Sequence, residues 1–292
     1  MMKNQKPVTP GPAQAPAAGR DSGARPWRTK LLLVLPLLPL LFTALAGLSA
    51  APALAAPFED SIAQRTMACT ACHGPQGRAA PDGYYPRLAG KPVGYLYNQL
   101  LNFRDGRRHY GLMTQLLDPL TDEYLLEIAQ YFSALDVPYP APLAGGSAGL
   151  VRRGQQLVMQ GNPSQQLPAC VQCHGQAMTG VVPNIPGLLG LPRDYLNAQL
   201  GAWRDGQRRA HAPDCMADVV RRLSPDDINA IGTWLAAQPL PANTHPAATL
   251  PVPTANYVNL PCGSAPLAGQ ARTTAPSSSP ASSAATNRGA SR

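Results

Sequence analysis

The chain has 292 residues, with 24 lysines and arginines against 16 aspartates and glutamates, six cysteines and 33 prolines. Its formal net charge of +8 is concentrated at the start: residues 1 to 55 hold six basic and one acidic residue, leaving 18 basic against 15 acidic groups in the remainder. A near-neutral body gives no support to nucleic-acid binding despite the basic pI, because that function needs a clustered positive face.

The first 30 residues are rich in Pro, Ala and Gly and end in a basic stretch holding Arg25, Arg28 and Lys30. An almost wholly apolar run, Leu31 to Gly47, follows. After it comes Ala51-Pro-Ala53-Leu-Ala55-Ala56, with small residues spaced as a leader peptidase requires. Residues 1 to 55 read as an export signal cut near Ala55, since Pro36 and Pro39 interrupt the apolar run. Uncut, Leu31 to Ala56 is long enough to span a bilayer and would tether the protein to the membrane.

Next comes Cys69-Thr-Ala-Cys72-His73, and 101 residues later Cys170-Val-Gln-Cys173-His174. A C-x-x-C-H run is the attachment site of c-type haem: each thiol adds across one haem vinyl group while the histidine reaches the iron. A zinc half-site or a redox dithiol also uses C-x-x-C, but neither needs the adjacent histidine that both runs have. The cofactor expectation is two covalently bound haems c, on Cys69, Cys72, Cys170 and Cys173, with His73 and His174 on the irons. Haem is attached outside the bacterial cytoplasmic membrane, so the leader and the motifs agree on the periplasm.

The chain between and after the motifs is a repeat. At a shift of 100 residues, Pro86-Arg-Leu-Ala-Gly90 matches Pro186-Gly-Leu-Leu-Gly190 at Pro, Leu and Gly. The match continues through Pro92/Pro192, Tyr95-Leu96/Tyr195-Leu196, Gln99-Leu100/Gln199-Leu200 and Arg104-Asp-Gly106/Arg204-Asp-Gly206. After a three-residue insertion the register resumes at Leu120/Leu223, Ile128/Ile231 and Tyr131/Trp234.

Each copy predicts three short helices joined by long loops. The first runs into the C-x-x-C-H motif from about Phe58 or Ala148, and the second opens near Pro92 or Pro192, where proline suits the first helical turn. The third follows Thr121-Asp-Glu or Ser224-Pro-Asp-Asp, which are capping sequences with acidic residues at the positive end of the helix dipole. Leu125, Ile128, Ala129 and Phe132 recur at helical spacing, as do Ile228, Ile231, Trp234 and Leu235. The predicted fold class is all-α: two tandem domains, 56–140 and 150–242, each a small helical fold around one haem, joined by a linker at 141–149. Residues 243–292 form a tail, largely disordered after 263, because Ala, Ser, Thr and Pro cannot bury enough surface to hold it.

The second axial ligand decides between electron transfer and catalysis. Met113 lies 40 residues after His73 and Met216 lies 42 after His174, each expected in the loop before the last helix. Their equivalent places make them the expected ligands. Met67, Met159 and Met178 lie too near the motifs and lack counterparts. His109 and His211 are the rivals; a bis-histidine site would lower the potential. A ligating histidine usually donates its other ring N–H to a carbonyl, and Pro86 and Pro186 are the candidates to accept it. Tyr95, Tyr195, Arg104 and Arg204 either meet haem propionates or serve helix packing.

Together these features resemble the cytochrome c4 family: both C-x-x-C-H motifs, Pro-x-Leu-x-Gly after each, Tyr-Leu-x-x-Gln-Leu, Arg-Asp-Gly and a methionine before the last helix. The resemblance spans about Phe58 to Gln238. It implies two class I cytochrome c folds with His/Met haems, packed about a pseudo-twofold axis. Its implied role is to pass single electrons in a periplasmic respiratory chain, from a donor such as a bc-type complex or a dehydrogenase toward an acceptor such as a terminal oxidase. An electron-transfer subunit of a periplasmic dehydrogenase is the alternative. A dihaem peroxidase would need an iron with an open position, against which the repeated methionines argue. Cys215 and Cys262 are extra to the family pattern. In an oxidising compartment they are expected to form a disulfide pinning the tail over the second haem loop, with two free thiols as the alternative.

Overall fold

The computed structural model describes residues 59–80, 82–254 and 256–268; the leader and the tail beyond 268 lie outside the described residues. In the first half, α1 (Ile62–Arg65) and α2 (Met67–His73) lead into the first motif. They are followed by α3 (Val93–Arg104), α4 (Gly111–Leu117) and α5 (Asp122–Ser133). In the second half, α6 (Ala148–Gln160) and α7 (Val171–His174) precede a short hairpin, β1 (Gly180–Val181) and β2 (Ile185–Pro186). Then come α8 (Arg193–Arg204), α9 (Cys215–Val220) and α10 (Pro225–Ala236). The fold is all-α apart from this hairpin, in which Val181 pairs with Ile185.

The last helix of each half starts where the capping sequences predict. Thr121 accepts from the Tyr124 amide at 3.3 Å, and Ser224 and Asp227 form a reciprocal capping box, with Pro225 in the first turn. Pro92 and Pro192 differ from expectation: each stands at the N-cap, one position before its helix. The single first helix predicted for the first half is two, meeting at the fully buried Thr66, whose hydroxyl donates to the Ile62 carbonyl at 2.8 Å. A side-chain hydroxyl that bonds the preceding turn offers the backbone an alternative to continuing the helix.

The stripes read from the sequence form the cores. Leu125, Ile128, Ala129 and Phe132 of α5 are buried with Leu96 and Leu101 of α3. Ile228, Ile231, Trp234 and Leu235 of α10 are buried with Leu157 of α6 and Leu196 of α8. Helices α6 and α10 touch backbone to backbone at Gly154, where an added Cβ would fall 2.1 Å from the Ala230 carbonyl oxygen.

The halves join through equivalent residues. Arg108 and Arg208 form an antiparallel bridge, with His109 N–H donating to the Gln207 carbonyl at 2.8 Å and Arg209 N–H to the Arg107 carbonyl at 2.7 Å. Pairing between positions 100 apart in a repeat of that shift creates local twofold symmetry. The tail crosses both halves. A disulfide joins Cys215 to Cys262; Gln172 of the second half pairs with the Val258 backbone, and Ala265 N–H donates to Asn98 of the first half at 2.7 Å. Thus Ser264 to Ala268, in the segment expected to be disordered, are held against the body.

Asp227 carries a pH signature. Burial alone would raise its carboxyl, but bonds from Arg153, at 2.8 Å, and from Ser224 hold it below the usual carboxylate range. A depressed folded pKa contributes stability above the unfolded value that is lost as pH falls through the folded one. Asp227→Asn is expected to cost about 1 kcal/mol at pH 7. In urea unfolding the gap from the parent protein should close below about pH 4; an equal gap at pH 7 and pH 3 would refute the assignment.

Candidate metal centres

His73 ends α2 and His174 ends α7, both buried. Each helix stops at a glycine with positive φ, Gly74 (74°) and Gly175 (85°). At Gly74 a Cβ would meet the Ala79 carbonyl oxygen at 2.3 Å, so only glycine fits that turn. The turns return the chain so that His73 Nδ1 lies 2.8 Å from the Pro86 carbonyl and His174 Nδ1 2.8 Å from that of Pro186. A carbonyl only accepts, so Nδ1 carries the proton and Nε2 is left with its lone pair free to bind a metal.

Burial pushes both imidazoles below their ordinary pKa. The proline carbonyls oppose this, while Arg108 adds to it at His73 and Lys91 at His174. The neutral ring is the ligating form.

Each histidine lines a largely apolar cavity. The first, of about 1420 Å³, brings together Cys69, His73, Pro86 and Met113 against Leu88, Phe103 and Phe132, and runs on along the groove between the halves to Tyr195, Gln199 and Arg208. The second, of about 240 Å³, brings together Cys170, Cys173, His174, Pro186 and Met216 with Trp203, Ile231 and Leu235, and is bordered by Leu260, Cys262 and Gly263 of the tail. Cys72 is exposed and is not part of the first cavity's lining.

The methionines do not sit in loops. Met113 lies on α4 and Met216 on α9, each partly buried against its core. Asp214, from the inserted Ala212-Pro213-Asp214, caps α9. It accepts from the Ala217 amide at 3.0 Å, the Ala210 amide at 2.7 Å and the Trp203 indole at 3.2 Å. Six- and seven-residue helices bury too short a stripe to show as periodicity. Met178 is a buried core residue, whereas Met67 and Met159 are exposed. His109 is exposed, and Nε2 of His211 lies 3.1 Å from the Arg107 guanidinium, a donor that occupies its lone pair.

These residues fit c-type haem. The four motif cysteines are unpaired while the other two form the disulfide. Burial raises the Cys69 and Cys173 thiols and, with Cys173 adding, pushes Cys170 up to about 12. Zinc binding and dithiol exchange both need the thiolate that such surroundings oppose. Among the described residues no group of three or more His, Cys, Asp or Glu is placed to hold a metal ion, so the two Cys pairs do not form a four-cysteine zinc site. Apolar walls, paired thiols and a neutral histidine are what a covalently held macrocycle requires.

No protein-family model matches the chain. A thiosulfate dehydrogenase electron acceptor of Thiomonas intermedia (strain K12) is 39% identical over 59% of this chain and 79% of its own length. Cytochrome c4 of Thiocapsa roseopersicina is 33% identical over 190 residues, 64% of this chain and 95% of that protein.

The chain belongs to the cytochrome c4 family.

The crystal structure of reduced cytochrome c4 from Pseudomonas stutzeri superposes with a TM-score of 0.51 at 31% identity, over 60% of this chain and 95% of that one. This cytochrome c4 relative is therefore a haem c protein that transfers electrons. The interface between its halves holds a cluster of arginines and glutamines that no short motif marks. Arg108 donates to Gln99 at 3.0 Å and to Gln199 at 2.6 Å, and Arg208 to Gln199 at 2.8 Å and to Gln99 at 3.0 Å. Each also reaches the hydroxyl of Tyr195 or Tyr95 at 3.4 Å. Arg208 stacks on Trp203 at 3.8 Å and Arg108 on Phe103 at 4.4 Å. Neither guanidinium is in an ion pair with a carboxylate among the described residues. Two buried cations without an anion can receive carboxylates such as those a haem carries.

Arg104 and Arg204 are structural instead. Both donate to the carbonyl preceding the last helix, of Leu120 at 3.0 Å and Leu223 at 3.1 Å, and Arg104 also pairs with Asp122 at 2.7 Å. The repeat itself was the available signal for the cluster, because Arg108 and Arg208 obey the same shift of 100.

The tail's hold on the second cavity is testable. Cys262→Ser is expected to lower the urea-unfolding stability of the haem-loaded protein by about 2–4 kcal/mol. A dithiol reductant should produce the same loss in the parent protein and none in the variant. Equal stability of the two under oxidising conditions would show that the disulfide does not hold the tail.

Proposed function

We propose that the chain is a two-haem relay, with His73 and Met113 as the axial ligands of the first iron and His174 and Met216 as those of the second. Cys69, Cys72, Cys170 and Cys173 would form the thioethers. The carrying observation is the repeated set: in each half one cavity wall presents a histidine anchored to a proline carbonyl and the lining includes a methionine. When bound, haem supplies a one-electron iron couple.

The chain's residues do the rest. The proline carbonyls fix the histidine tautomer, the apolar walls exclude water, and Arg108 and Arg208 with Gln99 and Gln199 would hold the haem carboxylates at the junction of the halves. A histidine and a methionine holding each iron would leave no position there for a substrate, which favours a carrier over a peroxidase. Domains at 56–140 and 150–242 would each carry one haem.

The setting belongs to the same proposal. Residues 1–55 direct export, and the protein works in the periplasm between redox partner proteins, delivering electrons toward a terminal oxidase. Among the described residues no helix is long and apolar enough to cross a membrane; left uncut, the apolar leader would tether the protein. A second reading is favoured by the relative named a thiosulfate dehydrogenase electron acceptor: the chain takes electrons from a periplasmic dehydrogenase, as its partner or subunit.

Pyridine haemochrome analysis should give two haems per chain. Met113→Ala and Met216→Ala should each abolish one methionine-to-iron charge-transfer band in the oxidised protein and leave the other. Spectra unchanged by both substitutions would overturn the ligand set.

A further inference from the structure

Lys91 belongs to the first half by sequence, yet it lines the second cavity and not the first. It is 4% exposed, and its ammonium donates to the Gly187 carbonyl at 3.0 Å, across the junction. Gly187 follows Pro186, whose carbonyl anchors His174. That strand end is tightly held: a Cβ on Gly187 would lie 2.4 Å from the Thr179 carbonyl oxygen. Lys91 is therefore one peptide unit from the group that orients the second histidine.

Its charged surroundings are sparse. Arg87, a like charge, faces it, and the Tyr139 ring lies 5.9 Å from Nζ. Lys91 takes part in no ion pair with a carboxylate among the described residues. A buried ammonium with one carbonyl partner is costly to keep, so its place calls for a use.

The repeat makes the position informative. Arg108, the cation nearest in effect to His73, has a twofold counterpart in Arg208, and the pair share the same glutamines. Lys91 has none: the position 100 residues on is Leu191, a core residue. Of the buried cations without a counterpart, Arg87 (opposite Gly187) borders both cavities, whereas Lys91 borders the second alone.

We propose that Lys91 is a positioning residue lent by the first half to the second centre, where it braces the Pro186–Gly187 backbone behind His174 and, as a buried cation, favours the reduced second iron. A positive charge in a low-dielectric site stabilises the state with one more electron. This rests on the reading of His174 and Met216 as ligands of the second iron.

The test is a redox titration of the haem-loaded protein followed by visible absorption, with the second haem identified as the one whose charge-transfer band Met216→Ala removes. It is run at pH 6, because burial, with Arg87 adding, pushes Lys91 down to about 7. Lys91→Gln should shift the second haem's reduction equilibrium by about tenfold toward the oxidised form, 59 mV for one electron. It should leave the first haem unchanged, and Lys91→Arg should keep the parent potential. Equal potentials in the Gln variant and parent, with both charge-transfer bands intact, would overturn the role of Lys91. Failure of Met216→Ala to remove a band would instead overturn the ligand reading on which it stands.

Discussion

The hydrogen bond from a buried histidine ring to a proline carbonyl is the constraint around which each half is built. It sets the tautomer, leaves one nitrogen free for a metal, and demands that an irregular segment pass close behind the ring. The halves meet that demand differently. In the first, the Pro86 segment is carried by backbone bonds from Leu88 N–H to the Gly77 carbonyl at 2.8 Å and from Gly90 N–H to the Phe132 carbonyl at 3.0 Å. In the second, Pro186 lies in a hairpin, and Leu188 N–H bonds to the Met178 carbonyl at 2.9 Å. Long loops around a thin helical core are tolerable because their polar groups are tied to the helices and to one another.

Repetition makes the halves alike, and the junction makes them unequal. Arg108 and Arg208 meet with matched partners, so the interface preserves the symmetry of the repeat. The tail and Lys91 break it. The disulfide fixes the tail at the edge of the second cavity and carries it on to Asn98 of the first half, whereas the first cavity opens along the groove. Two cavities lined by the same pair of residue types, histidine and methionine, thus stand in different electrostatic and steric surroundings.

Much of this was legible from residue order. The motif histidines, their proline acceptors and the apolar faces of α5 and α10 follow from short-range rules and a repeat, and the Cys215–Cys262 pairing from the compartment. The short helices bearing Met113 and Met216 were not legible, because α9 is set by Asp214 receiving three donors, two of them from residues upstream of the helix. Arg104 and Arg204 were legible only as two alternatives, propionate partners or helix packing, and their bonds to the Leu120 and Leu223 carbonyls favour the second. Lys91 was hidden for a related reason: its partner lies in the other half, and no local pattern encodes a contact made across a fold.

A relay without a reaction site requires that both metal centres be closed by the chain's own histidine and methionine. Carbon monoxide added to the fully reduced, haem-loaded protein tests it most directly. The absorption spectrum is expected not to move on addition of the gas at neutral pH. Formation of a carbon monoxide adduct at either haem of the unaltered protein would contradict it.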